Sequence, residues 1–238
     1  MDRYIQETNM LDYSNANIQK LIQARAWQKL DTFGCIKAVY NFVRDEILFG
    51  YNIDDAIPAS KVLADGYGQC NTKGTLFMAL LRACNIPCRI HGFTIDKKLQ
   101  KGAMTGLVYK SAPKNVLHSW VEVFFDDAWY ELEAFILDKE YLSKLQQIHS
   151  DCSGAFCGYG VAVKNFHQPV IDFNRNNTYI QNEGINQDFG VYDCPDDLLK
   201  EHQQEMSFIK AFAYRNLGRH LMNRNVKKIR KAVIIEKT

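Results

Sequence analysis

Apolar residues recur at helical spacing in three segments of the N-terminal half of the chain. The first begins after a capping sequence at residues 15–17 and has apolar positions as far as Ala26. The second covers residues 32–48, where the apolar side chains again return to one face. The third covers residues 71–83 and has the pattern of a buried helix. The first two are predicted to be helices that cover a core.

Two glycines, Gly66 and Gly68, indicate a tight turn immediately before the third segment. The buried helix is therefore predicted to begin at or near Cys70 and to end between Cys84 and Pro87. Unpaired amides in the first turn of a helix favour the ionised form of a thiol and can hold a developing oxyanion. Cys70 is thus predicted at a position suited to a nucleophile.

Alternating apolar and polar residues predict strands over residues 89–94, 117–125 and 128–134. If Asp126 and Asp127 form a two-residue hairpin turn, His118 lies opposite position 135, and Glu133 is its diagonal neighbour on the same face. Glu131 shares that face but lies one pair further away. A three-residue loop would turn both carboxylates away from His118. The two-residue turn therefore favours Glu133 as the partner of His118.

The C-terminal part of the chain has weaker patterns. Residues 150–160 and 174–188 are rich in glycine, Asn and Gln, which predicts loops with short strands that pack beside the site or cap it. Pro195 stands near the start of a further predicted helix. Residues 206–235 predict a basic amphipathic helix. Docking of its apolar side on the core is favoured, and a weak contact with an anionic surface is the alternative.

Composition narrows the class of protein. The chain has 238 residues, of which 47% are hydrophobic and 24% charged, as in an ordinary globular protein with one sizeable core. A net charge of +2 gives no general signal for nucleic acid as a partner. The sequence has neither a secretory signal nor a transmembrane segment, so a cytoplasmic location is expected. Its seven cysteines are odd in number and irregularly spaced, which favours reduced thiols.

The cysteines do not have the spacing of a zinc site. Cys84, Cys88 and His91 follow one another, as do Cys152 and Cys157, but paired CxxC motifs are absent from the sequence. No metal ion and no other cofactor are therefore expected.

Several of these segments together resemble the core of the transglutaminase-like superfamily, which is related to papain-like cysteine proteases. The resemblance covers about residues 35–138 and begins with the helix AVYNFVRDEI at 38–47. It continues with Cys70 and the helix that ends in ALLRACNIPCR at 79–89, followed by HSWVEV at 118–123 and WYELE at 129–133. The superfamily includes transglutaminases, peptide N-glycanases and many bacterial amidases and proteases. The missing CxxC pairs separate this chain from the N-glycanases.

The resemblance implies a role for three residues in nucleophilic acyl transfer. The nucleophile falls on Cys70, the base on His118 and the orienting acid on Glu133, where the family usually has aspartate. The oxyanion would be held by the Cys70 amide and by an upstream side chain, for which Gln69 and Tyr67 are the candidates. Two tryptophans are interpreted as core residues near the site, and one of them could line an acyl pocket; these are Trp120 and Trp129.

The resemblance also implies an α+β fold with a papain/transglutaminase-like core, a helical N-terminal lobe, a central antiparallel sheet and a C-terminal extension. Residues 1–145 are predicted to form this core with its N-terminal helices. Residues 146–238 are predicted to pack on it as an extension rather than as an independent domain.

The expected function is thiol-dependent acyl transfer at an amide or peptide bond of a peptide or protein substrate, with hydrolysis favoured over crosslinking. Crosslinking by a transglutaminase is one alternative. Another is a non-catalytic peptide-binding module, which the glutamate at position 133 favours. A third is a scaffold attached to an anionic surface through the basic C-terminal helix.

Overall fold

The computed structural model describes residues 1–202 and 208–232 of the chain. Its helices begin with four in the N-terminal half: α1 (Ala16–Arg25), α2 (Thr32–Asp45), α3 (Ala59–Asp65) and α4 (Cys70–Ala83). Five more follow: α5 (Gly106–Ser111), α6 (Lys139–Ile148), α7 (Pro195–Glu201), α8 (Phe208–Ala213) and α9 (Arg219–Arg230). A π-helical turn, Tyr214–Gly218, joins α8 to α9.

The strands form one larger sheet and two small ones. In chain order they are β1 (Leu48–Phe49), β2 (Tyr67–Gly68), β3 (Cys88–Asp96), β4 (Asn115–Phe125), β5 (Ala128–Leu132), β6 (Phe156–Gly158), β7 (Val161–Val163) and β8 (Ile185–Tyr192). The larger sheet has the order β5-β4-β3-β8, and every neighbouring pair in it is antiparallel. The predicted α+β class, helical N-terminal lobe and central antiparallel sheet are confirmed.

The hairpin between β4 and β5 has the predicted two-residue turn. Asp126 and Asp127 have φ values of 48° and 57°, as in a type I′ turn, which matches the twist of the paired strands. Phe125 pairs with Ala128 and Val121 with Leu132, so the predicted register is confirmed. Because register decides which side chains share a face, this turn determines where Glu133 lies relative to His118.

Helix α4 lies at the centre of the core, and its residues 70–82 are all buried. It packs against β4, and Gly74 brings the helix backbone close to Val121 and Phe135. The predicted start of this helix at Cys70 is confirmed. Helix α1 also begins as predicted, because the Asn15 side chain accepts a hydrogen bond from the Asn17 amide.

Several boundaries differ from the prediction, and strand β5, for example, ends at Leu132 rather than at residue 134. Helix α2 ends at Asp45 rather than near residue 48, because Leu48 and Phe49 form β1, which pairs in parallel with β2. The first half of strand β8 lies within a segment predicted as loops with short strands, and β8 adds an eight-residue edge strand to the central sheet. Most of its side chains are polar or exposed, so its sequence lacks the alternation that reveals a strand with one buried face.

The C-terminal part of the chain contributes to the same core as the helices of the N-terminal half. Its buried apolar residues in this core include Phe166, Phe173, Ile180, Leu198 and Met222. The predicted helix over residues 206–235 corresponds to α8, the π turn and α9, and its two ends lie outside the described residues. Within residues 1–202 and 208–232, no helix has the length and apolar character needed to cross a membrane.

A buried ion pair fastens α9 to the start of α6. Arg230 donates two hydrogen bonds to Asp138, of 3.0 and 2.6 Å. Asp138 also accepts from the amides of Phe49 and Tyr141, so one carboxylate joins three elements. Burial raises the pKa of Asp138, but Arg230 and the two amides outweigh it and hold that pKa below its usual range.

We expect Arg230→Met to lower the free energy of unfolding at pH 7 by about 3 kcal/mol, because it leaves the Asp138 carboxylate buried without its cation. The depressed pKa of Asp138 contributes stability that is present above its unfolded value of about 4 and lost as the pH falls. The difference between wild type and variant should therefore shrink at acid pH in urea unfolding. Arg224→Met, an exposed change on the same helix, is the control. Equal stabilities of Arg230→Met and wild type at pH 7 would contradict the role of the pair.

Candidate active site

Cys70 is the first residue of α4, and a reciprocal cap fixes it there. The Gln69 side chain accepts from the Thr72 amide, and the Thr72 hydroxyl oxygen accepts from the Gln69 amide at 3.1 Å. The amides of the first helical turn, that of Cys70 among them, have no acceptor within the helix. Cys70 itself is 7% exposed, and its Sγ lies 4.0 Å from the carbonyl oxygen of Leu117 on β4.

A short loop over residues 50–55, here called the bracing loop, holds this cap from the outside. The Asn52 amide donates to Gln69 Oε1 at 3.0 Å, and Gln69 Nε2 donates to Asp55 at 2.8 Å. The Thr72 hydroxyl donates to Asn52 Oδ1 at 2.6 Å. The start of α4 is therefore fixed by tertiary contacts as well as by its own cap.

The bracing loop also carries Tyr51, a residue that sequence reasoning missed. Its hydroxyl donates to Gln100 at 2.7 Å. Burial raises the pKa of Tyr51 well above its usual value, and negative charge on its neighbours, Cys70 among them, raises it further. The phenol therefore lies near the thiol. A tyrosine in a loop 19 positions before the cysteine has no spacing that would reveal this.

His118 and Glu133 meet as the hairpin register predicts. His118 Nε2 lies 2.8 Å from Glu133 Oε1, and both side chains are fully buried. Strand β5 ends at Leu132, and Glu133 takes a helical backbone conformation at the start of a short turn. Glu131 instead accepts a hydrogen bond from the Tyr179 hydroxyl. The structure thus brings Glu133, and not Glu131, to the imidazole.

The second oxygen of Glu133 is held by backbone amides from a distant segment. Glu133 Oε2 accepts from the N–H groups of Ile180 and Gln181 at 2.6 and 2.8 Å. This segment runs beside β5, where Thr178 exchanges backbone hydrogen bonds with Glu131 and Glu133. Three donors thus satisfy a carboxylate that has no contact with solvent. Backbone amides leave no mark on the sequence, so these donors could not be predicted.

The environment of His118 favours its protonated form. Burial lowers the pKa of the imidazole, but the Cys70 thiolate and Glu133 outweigh this effect and raise the pKa of His118 to about 10. Because Nε2 is bonded to Glu133, the other ring nitrogen serves the thiol side. Among the described residues, Nδ1 has no hydrogen-bond partner with good geometry. The arrangement can therefore hold a thiolate and an imidazolium together.

Asn71, the second residue of α4, joins the thiol-bearing helix to the histidine-bearing strand. Its Oδ1 accepts from the Ser119 hydroxyl at 2.8 Å, and its Nδ2 donates to the Leu117 carbonyl at 3.4 Å. These contacts flank His118 on both sides along β4. Asn71 therefore fixes the distance between the two elements that carry Cys70 and His118.

The predicted oxyanion and pocket residues divide into two groups. Gln69 and Tyr67 both lie next to the bracing loop: Gln69 is bound there, and the Tyr67 ring would meet a side chain at Gly50. Their role as oxyanion donors stays a prediction. Trp120 lies on the face of His118 and packs on Phe93 at a centroid distance of 4.2 Å.

Trp129 is not brought to this site. It lies opposite Phe124, six residues along β4 from His118 or about 20 Å at 3.3 Å per residue, and it packs on Tyr4 and Arg89. It therefore has no place in an acyl pocket around Cys70.

Glu122 pairs with Glu131 across the hairpin, as the two-residue turn requires. Glu122 is buried and bonded to Arg89 at 2.6 Å and to His91 Nδ1 at 2.9 Å. The other nitrogen of His91 lies 2.8 Å from Asp188. Arg89 and His91 offset the repulsion that two glutamates directly opposite each other would otherwise cause. In the part of the chain that the structure describes, no group of three His, Cys, Asp or Glu residues could hold a metal ion.

Part of the chain matches a known protein family. Residues 20–134 match the family model of the transglutaminase-like superfamily. This part of the chain belongs to that superfamily. The match covers Cys70, His118 and Glu133, whereas the amides of residues 180 and 181 lie beyond it. No curated protein matches the chain.

Two solved structures resemble the chain at low identity. A candidate cysteine protease from Cytophaga hutchinsonii is 12% identical, with a TM-score of 0.47, over 82% of this chain and 47% of its own. Red sea bream transglutaminase is 13% identical, with a TM-score of 0.31, over 92% of this chain and 32% of its own. The chain thus spans less than half the length of either protein.

We expect the imidazole of His118 to stay protonated through neutral pH and to lose its proton near pH 10, as followed by NMR of ¹³C-labelled histidine. Glu133→Gln and Cys70→Ala should each lower that midpoint, because each removes a negative charge that stabilises the imidazolium. Exposed His220 serves as the internal control. A His118 midpoint near 6.5 that neither substitution moves would contradict the charged arrangement.

Proposed function

We propose that the chain is a cysteine hydrolase or acyltransferase that acts on an amide or peptide bond of a peptide or protein. Cys70 is the nucleophile, His118 the acid and base, and Glu133 the orienting acid. The observation that carries this proposal is the hydrogen-bonded series from the thiol side of His118 to Glu133, whose carboxylate is held by two backbone amides. A buried imidazole needs such a partner to keep one orientation and to carry a positive charge.

In the acylation step, Cys70 Sγ attacks the carbonyl carbon of the substrate and a carbon–sulfur bond forms. The negative charge that develops on oxygen is directed at the amide N–H of Cys70, in the first turn of α4. The carbon–nitrogen bond then breaks as His118 donates its proton to the departing amine. The products are a free amine, a neutral imidazole and a thioester on Cys70.

In the deacylation step, neutral His118 takes a proton from water, whose oxygen attacks the thioester. The carbon–sulfur bond breaks, the acid is released and the thiolate and imidazolium are restored. We favour water as the acceptor because it needs no binding site of its own and can reach a thiol that is only 7% exposed. Transfer to an amine, as in crosslinking, is the alternative outcome of the test below.

The chemistry of Glu133 bears on the non-catalytic alternative. Glutamate where the family usually has aspartate was the feature that favoured a peptide-binding module. Its longer side chain spans the distance from His118 to the amides of Ile180 and Gln181, so the substitution supports a working orienting acid.

We also propose that residues 146–238 act as an extension of the core. Two sets of contacts support this proposal. The amides of residues 180 and 181 donate to Glu133, and Arg230 neutralises Asp138.

We expect iodoacetamide at pH 6.5 to label buried Cys70 at least about tenfold faster than exposed Cys157, because an imidazolium partner sustains the thiolate. In His118→Ala this advantage should disappear, as measured site by site by mass spectrometry. Cys157 provides the matched control within the same molecule. Slower labelling of Cys70 than of Cys157 in the native protein would remove the physical basis of the enzyme proposal.

The acceptor is tested with a pool of short peptides, with and without an added alkylamine, read by mass spectrometry. Cleaved peptides that depend on Cys70 would support hydrolysis. Amine-modified peptides without cleavage would replace hydrolysis by crosslinking, and peptide binding without either product would favour the binding module.

We expect Glu133→Asp to slow acylation of Cys70 by p-nitrophenyl acetate by about 10²-fold, because the shorter side chain cannot reach His118 and both amides together. Glu133→Gln keeps the length but loses the charge and should slow it by roughly 10²- to 10⁴-fold. The matched control is Glu131→Asp, two residues earlier on β5, whose carboxylate is bound by Tyr179 and not by His118. Full activity of Glu133→Asp would contradict the argument from length.

A further inference from the structure

The C-terminal helical segment, residues 208–232, has one face docked on the core and one face in solvent. On the docked face, Met222, Val226 and Arg230 are buried. The Asn223 side chain exchanges two hydrogen bonds with the backbone of Tyr51, of 2.7 and 3.0 Å. The Tyr214 hydroxyl donates to the Asn52 carbonyl at 3.0 Å. The segment is therefore attached to the core by this face alone, and its opposite face is not needed for the attachment.

The opposite face exposes large apolar side chains in a continuous row. Four of them, between 45% and 78% exposed, form what is here called the outer row: Ile209, Phe212, Leu217 and Leu221. The step of five residues from 212 to 217 spans the π turn, whose wider repeat keeps the two residues on one side. The π turn thus aligns the outer row across the junction of α8 and α9.

The charge of the same segment is strongly one-sided. Residues 206–235 contain eight Lys and Arg residues and no Asp or Glu, although the whole chain has a net charge of only +2. Arg215 pairs with Asp54 and Arg230 with Asp138. The outer face continues beyond Leu221 with exposed cations, namely Arg224, Lys227, Lys228 and Lys231. Apolar side chains and cations thus share one exposed surface.

This combination fits the surface of an anionic lipid bilayer. Such a surface offers an apolar layer for Leu, Ile and Phe side chains directly beneath a layer of negative headgroups. A nucleic acid would pair with the cations but would leave the outer row in water. We propose that the outer face of residues 209–231 binds anionic membranes, with the outer row in the interface and the cations at the headgroups. Because the docked face is already satisfied, binding requires no unfolding of the segment from the core.

The test is co-sedimentation of the full chain with vesicles of phosphatidylcholine alone or with about 30% phosphatidylserine. We expect binding to the anionic vesicles, and binding should weaken steeply as salt rises from low to high ionic strength. Arg224→Glu/Lys228→Glu should weaken it by at least about 25-fold, at about fivefold for each charge removed. Phe212→Ser/Leu217→Ser should weaken it by at least about tenfold.

Matched controls use exposed residues on other surfaces: Leu107→Ser/Val170→Ser for the apolar pair and Lys20→Glu/Lys29→Glu for the charges. Both should bind as wild type does, and thermal unfolding should be unchanged in all four variants because each altered side chain is exposed. Equal binding to neutral vesicles, equal losses in the controls, or binding to duplex DNA without binding to vesicles would overturn the proposal.

Discussion

The fully buried carboxylate of Glu133 is the constraint on which the rest of the site depends. A carboxylate without solvent is tolerated only when its oxygens meet donors, and here those donors are His118 and two backbone amides. The hairpin turn sets the register, the end of β5 releases Glu133 from the strand, and the segment at residues 178–181 must lie against β5 to supply the amides. An error in any of these would leave a charge buried without partners.

The thiol side of the site is built separately and meets the imidazole through Asn71. Helix α4 starts at Cys70 because its cap is locked to the bracing loop, and that loop is in turn held by Asn223 and Tyr214 of the C-terminal helical segment. The position of Cys70 therefore depends on residues about 150 positions away in sequence. Local helix capping provides the start of the helix, and long-range hydrogen bonds fix its place.

Sequence patterns predicted much of this arrangement where the information is local. The Gly-rich turn located the start of α4, and the two aspartates of the hairpin were enough to select Glu133 over Glu131 by register alone. Strand β8 was not predicted, because an exposed edge strand need not have alternating apolar and polar residues. The burial of Glu122 was not predicted, because its partner His91 lies on a neighbouring strand. Contacts between strands cannot be derived from the spacing of residues in the sequence. The amide donors to Glu133 could not be predicted, because almost every residue has a backbone N–H and the sequence does not distinguish these two.

The superfamily match ends at residue 134, one position beyond Glu133, yet the carboxylate is completed by amides at 180 and 181. A boundary drawn by homology would keep Cys70, His118 and Glu133 and discard two of the three hydrogen bonds to the Glu133 carboxylate. A chimera that carries this core into another protein would also have to include residues 178–181, which lie beside β5. In this chain, the segment needed to complete the candidate site therefore extends further than the segment that homology recognises.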